Sequence, residues 1–179
     1  MTFHAFRCRL IFAGPALLLF TGVLCCWHVH ALLIHEIGKS SPVFTSLVRP
    51  GDRLSLGFLH SVENCRVWDH LQINKSFGMV VVGTEFAESR TGLPYAAFNG
   101  EVFERYQDHF CISNMNRPVP EIYQWVDTRY ENTLIVDGKQ EVHLAGLAGN
   151  SLLHIRIDKL TVLEWAWLKA KLCRQQWSF

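Results

Sequence analysis

The sequence predicts a mainly β chain: an antiparallel β-sandwich or barrel, preceded by one transmembrane helix and followed by a short C-terminal helix. Three observations carry this. From Val43 to Ile157 apolar residues recur with period two and are interrupted by turn residues at short spacing, the pattern of half-buried strands in a sandwich or barrel. Before them, Leu10–Trp27 is a run of 18 residues without a charge. After them, Leu160–Trp177 is rich in Leu, Ala, Glu, Lys and Trp and poor in β-branched residues, which favours helix. The implied organisation is a cytoplasmic N-terminus over 1–9, a transmembrane anchor or signal peptide over 10–35, an exported β-domain over 38–159 and a C-terminal helix or tail over 160–179.

The apolar run comes first in the chain. As a helix, residues 10–27 rise about 27 Å, close to the roughly 30 Å hydrocarbon core of a bilayer. The charge-free stretch extends to His35, so a tilted span has residues to spare. Arg7 and Arg9 precede it, and the positive-inside bias keeps them on the cytoplasmic side. The main domain is then on the periplasmic or extracellular side of a single-pass protein of the cytoplasmic membrane. A cleaved signal peptide is the rival: Val29-His30-Ala31 fits the small-residue cleavage rule loosely, but the apolar run exceeds the usual core of about 7–15 residues. Cys25 and Cys26 follow no small residue, unlike a lipoprotein signal. His28, His30 and His35 mark the exit from the membrane, as interfacial histidines or as metal ligands.

The strands follow in order. Val43–Arg49 is a strand and Pro50-Gly51-Asp52 a turn; Arg53–Val62, Val67–Ile73 and Met79–Phe86 come next, with a turn over Asn74–Gly78. Residues 90–101 contain Gly92, Pro94 and Gly100 and read as a long loop. Later strands fall at 108–113, 121–129, 132–136, 140–145 and 151–157, and Asp137-Gly138 is a two-residue hairpin signal. In the tail, Trp165, Trp167 and Trp177 with Lys169, Lys171 and Arg174 suit either a membrane interface or a helix packed on the sheet. Asn74-Lys75-Ser76 matches a glycosylation sequon.

Composition narrows the function classes. The net charge is +1 and no basic run occurs, which disfavours a nucleic-acid partner, since phosphate binding needs clustered Lys and Arg. Of the 6 cysteines only Cys65 and Cys111 fall inside the β-domain; in an oxidising compartment they form one disulfide or remain two buried thiols. No Cys-x-x-Cys, His-Glu-x-x-His, Walker or dinucleotide fingerprint is present, so no cofactor is implied.

His60 stands out. Its neighbours at i−2, i−4 and i−6 are Phe58, Leu56 and Leu54, so alternation puts the imidazole on an apolar face, where a polar group needs a partner. If Glu63–Arg66 closes the hairpin, Val62 faces Val67, His60 faces Asp69, Phe58 faces Leu71 and Leu56 faces Ile73, a register that pairs like with like. The third strand turns inward either Met79, Val81, Gly83 and Glu85 or Val80, Val82, Thr84 and Phe86. The first set adds Glu85 to His60 and Asp69 beside the loop Arg90-Thr91-Gly92-Leu93-Pro94. Such a cluster is a register-fixing buried pair, a ligand or partner site, or a metal site. Ser61 adjoins His60 but points to the other face, which makes a poor nucleophilic dyad.

His60-Ser61-Val62-Glu63, then Val67, Asp69 and Thr84-Glu85, then Gly92-Leu93-Pro94, resembles a bacterial exported family known as domain of unknown function 1850, over roughly Val48 to Ile157. The resemblance implies an N-terminal hydrophobic segment and an accessory role in substrate uptake, because such proteins are often encoded beside TRAP-type transporters of the TAXI class. The family pattern usually has Glu where this chain has Asp69, and Gly-Ala where it has Arg90-Thr91. No catalytic residue is implied. The expected function is a membrane-anchored, non-enzymatic exported domain that binds a membrane partner, a TRAP-type transporter subunit, through His60, Asp69, Glu85 and Gly92-Leu93-Pro94. The alternatives are an exported metal-dependent hydrolase and a small-ligand or ion sensor at the same cluster.

Overall fold

A computed structural model describes residue 22 and residues 26–60, 65–87, 96–98 and 100–176. Most of the Leu10–Trp27 segment, Ser61 and the Gly92-Leu93-Pro94 loop therefore lie outside the described residues. Among the described residues no helix is long and apolar enough to cross a membrane.

The body of the chain is a compact unit from Leu32 to Ile157. It begins with β1 (His28–Glu36) and β2 (Pro42–Leu47), followed by β3 (Arg53–His60), β4 (Cys65–Ile73) and β5 (Met79–Phe86). Four short strands come next: β6 (Val102–Arg105), β7 (Phe110–Ser113), β8 (Arg117–Val119) and β9 (Glu121–Val126). The hairpin β10 (Thr133–Val136) and β11 (Gln140–His143) leads through the short helix α1 (Leu144–Ala148) into β12 (Ser151–Thr161). The strands build two sheets. One has the order β2-β1-β12-β9; the other has the order β11-β10-β3-β4-β5-β7-β6, with β8 also on β5.

Both sheets contribute to one core. Leu32, Ile34, Leu153 and Ile155 from the smaller sheet cluster with Leu54, Leu56, Leu71, Ile73, Met79 and Leu134 from the larger. A second cluster holds Cys65, Val67, Phe86, Ile112 and Met115. The antiparallel β fold and the C-terminal helix expected from the sequence are thus present.

The start of the domain needs correction. Residues 28–36 form a strand, not the end of an anchor running to residue 35, and Ala31–Ile34 are buried. An unbroken apolar run suits lipid and a doubly buried central strand equally, and β1 lies between β2 and β12. In this strand His28 and His30 share one face and His35 takes the other, so the three histidines do not converge.

Local chemistry explains the turns. Asp137 and Gly138 both have positive φ, and Lys139 N–H donates to Val136 C=O at 3.1 Å, the hairpin expected of Asp-Gly. Asn74 Oδ1 accepts from the backbone N–H of Ser76 and of Gly78, each at 2.9 Å, so the sequon asparagine shapes its own turn. The strand expected over 140–145 stops at His143 and α1 takes over, closed by Gly149 N–H to Ala145 C=O at 2.8 Å.

The chain ends form a second unit, 1–31 with 158–179. Here Val162 N–H donates to Trp27 C=O at 2.9 Å. Helix α2 (Val162–Gln176) opens with a capping box: Thr161 Oγ1 accepts from Glu164 N–H at 3.1 Å, and Glu164 Oε2 accepts from Thr161 N–H at 2.7 Å.

Candidate functional site

The three residues expected to cluster are distributed differently. In the β3–β4 ladder Leu54 faces Leu71, Leu56 faces Asp69, Phe58 faces Val67 and His60 faces Cys65. The register is shifted by four residues from the one that pairs His60 with Asp69. The strand carries on through Arg66 and Cys65, residues expected at or next to the turn. A shift of even size leaves every side chain on its predicted face, so Asp69 remains on the inner face with Val67 and Leu71. It is displaced from His60 by about 13 Å along the strands. The His60 side chain lies outside what is described. On its other side β3 pairs with β10, which sets Val136 against Leu54 and Leu134 against Leu56, so Val136, Leu54 and Leu71 form an apolar row across three strands while the row of Leu134 and Leu56 ends on Asp69.

Glu85 points the other way. Between β4 and β5 the register slips at His70/Leu71: His70 pairs with Gly83 but Leu71 with Val81, leaving Val82 as an extra residue. A bulge of this kind reverses the alternation beyond it. Met79 and Val81 therefore face the core from one side of the bulge, Thr84 and Phe86 from the other. Each of the two inward sets anticipated for this strand is half realised, and Glu85 is on the outer face opposite Trp68. Asp69 and Glu85 cannot serve as two carboxylate ligands of one site. Among the described residues no three His, Cys, Asp or Glu side chains are arranged to hold a metal ion.

On the inner face Asp69 is half-buried and its carboxylate accepts from the Thr84 hydroxyl. Burial pushes its pKa above the usual carboxylate value; the Thr84 hydrogen bond and the charge of His70 pull against that rise. Asp69 opens onto a cleft of about 210 Å³. Leu56, Phe58, Leu71, Val81, Val119 and Ile122 form its apolar wall, and Asp69 and Gln124 are its polar groups.

The outer face carries a polar chain not anticipated from the sequence. Ser55 Oγ and His70 Nδ1 are 3.0 Å apart, and His70 Nε2 lies 3.2 Å from Glu85 Oε1, in ion-pair range but not aligned as a hydrogen bond. The three come from adjacent strands. The trio has the composition of a nucleophile, a base and an acid. Ser55, however, sits mid-strand with β10 on one side and β4 on the other, so ladder bonding takes the backbone N–H groups that would hold an oxyanion. Beside it the Trp68 ring lies over Gly57, where an added Cβ would be 2.7 Å from ring carbons, and the Arg66 guanidinium lies 5.2 Å from the Trp68 ring centre.

Cys65 and Cys111 are free thiols. Cys65 faces the core with Val67, whereas Cys111 pairs with Glu85 on the outer face. A disulfide between opposite faces of a sheet is sterically excluded. Burial, with Glu85 and Glu104 nearby, pushes the Cys111 pKa up.

A second cleft, of about 220 Å³, has Leu59, Gln124, Trp125, Asp127, Tyr130 and Asn132 in its wall. Its signal in the sequence is the alternation of β9, where Glu121, Tyr123 and Trp125 share the face opposite Ile122, Gln124 and Val126. Tyr123 and Trp125 are exposed. The Tyr123 ring stacks on His154, whose Nε2 lies 2.7 Å from Glu121 Oε2.

The family model described as Domain of unknown function (DUF1850) matches residues 54–143, just over half of the chain, from β3 to the end of β11. The match contains both clefts. No curated protein and no solved structure matches the chain.

Proposed function

The chain belongs to the DUF1850 family, and we propose that it is an exported, membrane-attached, non-enzymatic binding domain that serves a TRAP-type transport system as an accessory. The single observation that carries the binding role is Asp69, a carboxyl on a cleft wall that is apolar but for Gln124 among the described residues. Such a site suits a small molecule with an apolar body and a cationic head. The apolar part removes the surface of Leu56, Phe58 and Val81 from water, and an ammonium group beside the carboxylate offsets the burial that now disfavours its charge. The cleft is smaller than the roughly 300–1,000 Å³ of drug-sized sites, which limits the ligand to about the size of a short alkylamine.

Membrane attachment is supported by the uncharged run Leu10–Trp27 and by the exposed Trp27, Leu163 and Trp167 of the unit formed by the chain ends. The transport role rests on the family resemblance. It is tested by a mild-detergent pull-down of the full-length protein from its own membrane, read by mass spectrometry. Recovery of a TRAP-type transporter subunit is the expected result, and recovery of no membrane transport protein would overturn the accessory reading.

A further inference from the structure

We infer that the cleft between Trp125 and Tyr130 is a saccharide-binding site that takes one neutral pyranose ring at a time. The reasoning begins with what is exposed. Trp125 is 59% and Tyr130 41% exposed, large apolar surfaces left in water at the edge of the smaller sheet. Between them lies the cleft of about 220 Å³, shared with the carboxamides of Gln124 and Asn132. Aromatic faces and amides together match a sugar. The ring's axial C–H groups carry slight positive charge and lie on the negative face of an indole, while amides donate to and accept from the hydroxyls.

The cleft is pre-shaped. The Arg129 guanidinium grips both oxygens of Asp127, at 3.0 Å to Oδ1 and 2.6 Å to Oδ2. Tyr130 N–H donates to Asp127 C=O at 3.0 Å, Thr128 N–H to Asn150 Oδ1 at 2.7 Å, and Gln124 Nε2 to Trp125 C=O at 3.0 Å. A loop tied at these points presents Tyr130 with little ordering cost on binding.

The same contacts say which ligand fits. Among the described residues of the cleft wall Asp127 is the charged one, and Arg129 neutralises it. The Arg129 guanidinium already stands 5.5 Å from the Tyr130 ring centre, where a ligand cation would otherwise sit. A neutral, hydroxyl-rich ring is what remains favoured.

The test uses full-length protein in a detergent without a sugar head group, titrated with maltotriose, cellotriose and the trisaccharide of N-acetylglucosamine, followed by saturation-transfer NMR and calorimetry. At least one should bind with millimolar Kd, insensitive to salt because the ligand is neutral. Trp125→Ala should weaken it about tenfold or more, and Trp125→Phe should retain part of it. Trp125 is exposed, so an unchanged melting temperature in the alanine variant shows that the fold is intact. Binding of none of the three sugars, undiminished binding by Trp125→Ala, or displacement of the sugar by tetramethylammonium would each overturn the assignment.

Discussion

Asp69 and His70 are consecutive residues on β4, yet they live in different surroundings. Asp69 faces inward, among Leu56, Phe58 and Leu71, with one hydroxyl for a partner and a pKa raised by burial. His70 faces outward, about one-third exposed, with Ser55 on one ring nitrogen and Glu85 near the other. The inner face offers a concave, mostly apolar surface on which Asp69 is the ionisable group among the described lining residues. On the outer face Ser55 hydrogen-bonds one ring nitrogen of His70, while the other is near Glu85 without an aligned hydrogen bond. Side-chain chemistry alone would have ranked them the other way, since a serine, a histidine and a glutamate suggest catalysis more readily than a lone aspartate. Concavity favours the inner face as the binding candidate.

That contrast can be broken by mutation. The largest effect is expected from Leu71→Ala, which empties volume at a residue 2% exposed and should cost about 2–5 kcal/mol; chemical denaturation measures it. Gly57→Ala comes next. Its new Cβ collides with the Trp68 ring and should cost about 1–3 kcal/mol through overpacking, a loss that Trp68→Ala in the same chain should reduce. Ser55→Ala removes one end of the outer chain and should cost about 0.5–1.5 kcal/mol; a loss well above that would mean that Ser55 holds more of the outer face than its single bond to His70.

The smallest effect distinguishes the faces by its sign. Because the folded Asp69 binds its proton more tightly than the unfolded one, the folded chain holds the extra proton between the ordinary value of 3.8 and the raised one. This contribution to stability is fully present below 3.8 and is lost as pH rises through the folded pKa. Asp69→Asn should abolish that slope. Above the window the variant should melt at or slightly above wild type, and below it the advantage should vanish. A variant clearly less stable than wild type at neutral pH would mean that the ionised carboxylate stabilises the fold.

Much of this architecture was legible in the residues. Met79–Phe86 is a strand with the bounds its alternation and flanking turns suggested, and Asp137-Gly138 makes its hairpin, because local patterns report local structure directly. The site was legible in part. Alternation placed Asp69 on the inner face, but pairing like with like misread the hairpin register, setting Leu56 against Ile73 where the ladder sets it against Asp69. The bulge at Val82 put half of each alternative set inward, and nothing in Val80-Val81-Val82 marks which valine is extra. Strand β1 was hidden by its own apolarity. The outer chain and the Trp125 face did leave signals: a glycine in mid-strand at Gly57 implies a large neighbour, and Tyr123 and Trp125 stand two residues apart on one face.

If the inner face at Asp69 is the binding face, its carboxyl selects a cation over a neutral ligand of the same shape. The most direct measurement is a titration of isotope-labelled full-length protein with n-butylammonium, and in parallel with n-butanol, followed by NMR in wild type and Asp69→Asn. Shifts at Leu56, Phe58 and Val81 are expected, with tighter binding of the amine than of the alcohol and loss of that preference in the variant. Equal binding of amine and alcohol to wild type, or shifts centred on His70 and Glu85, would contradict it.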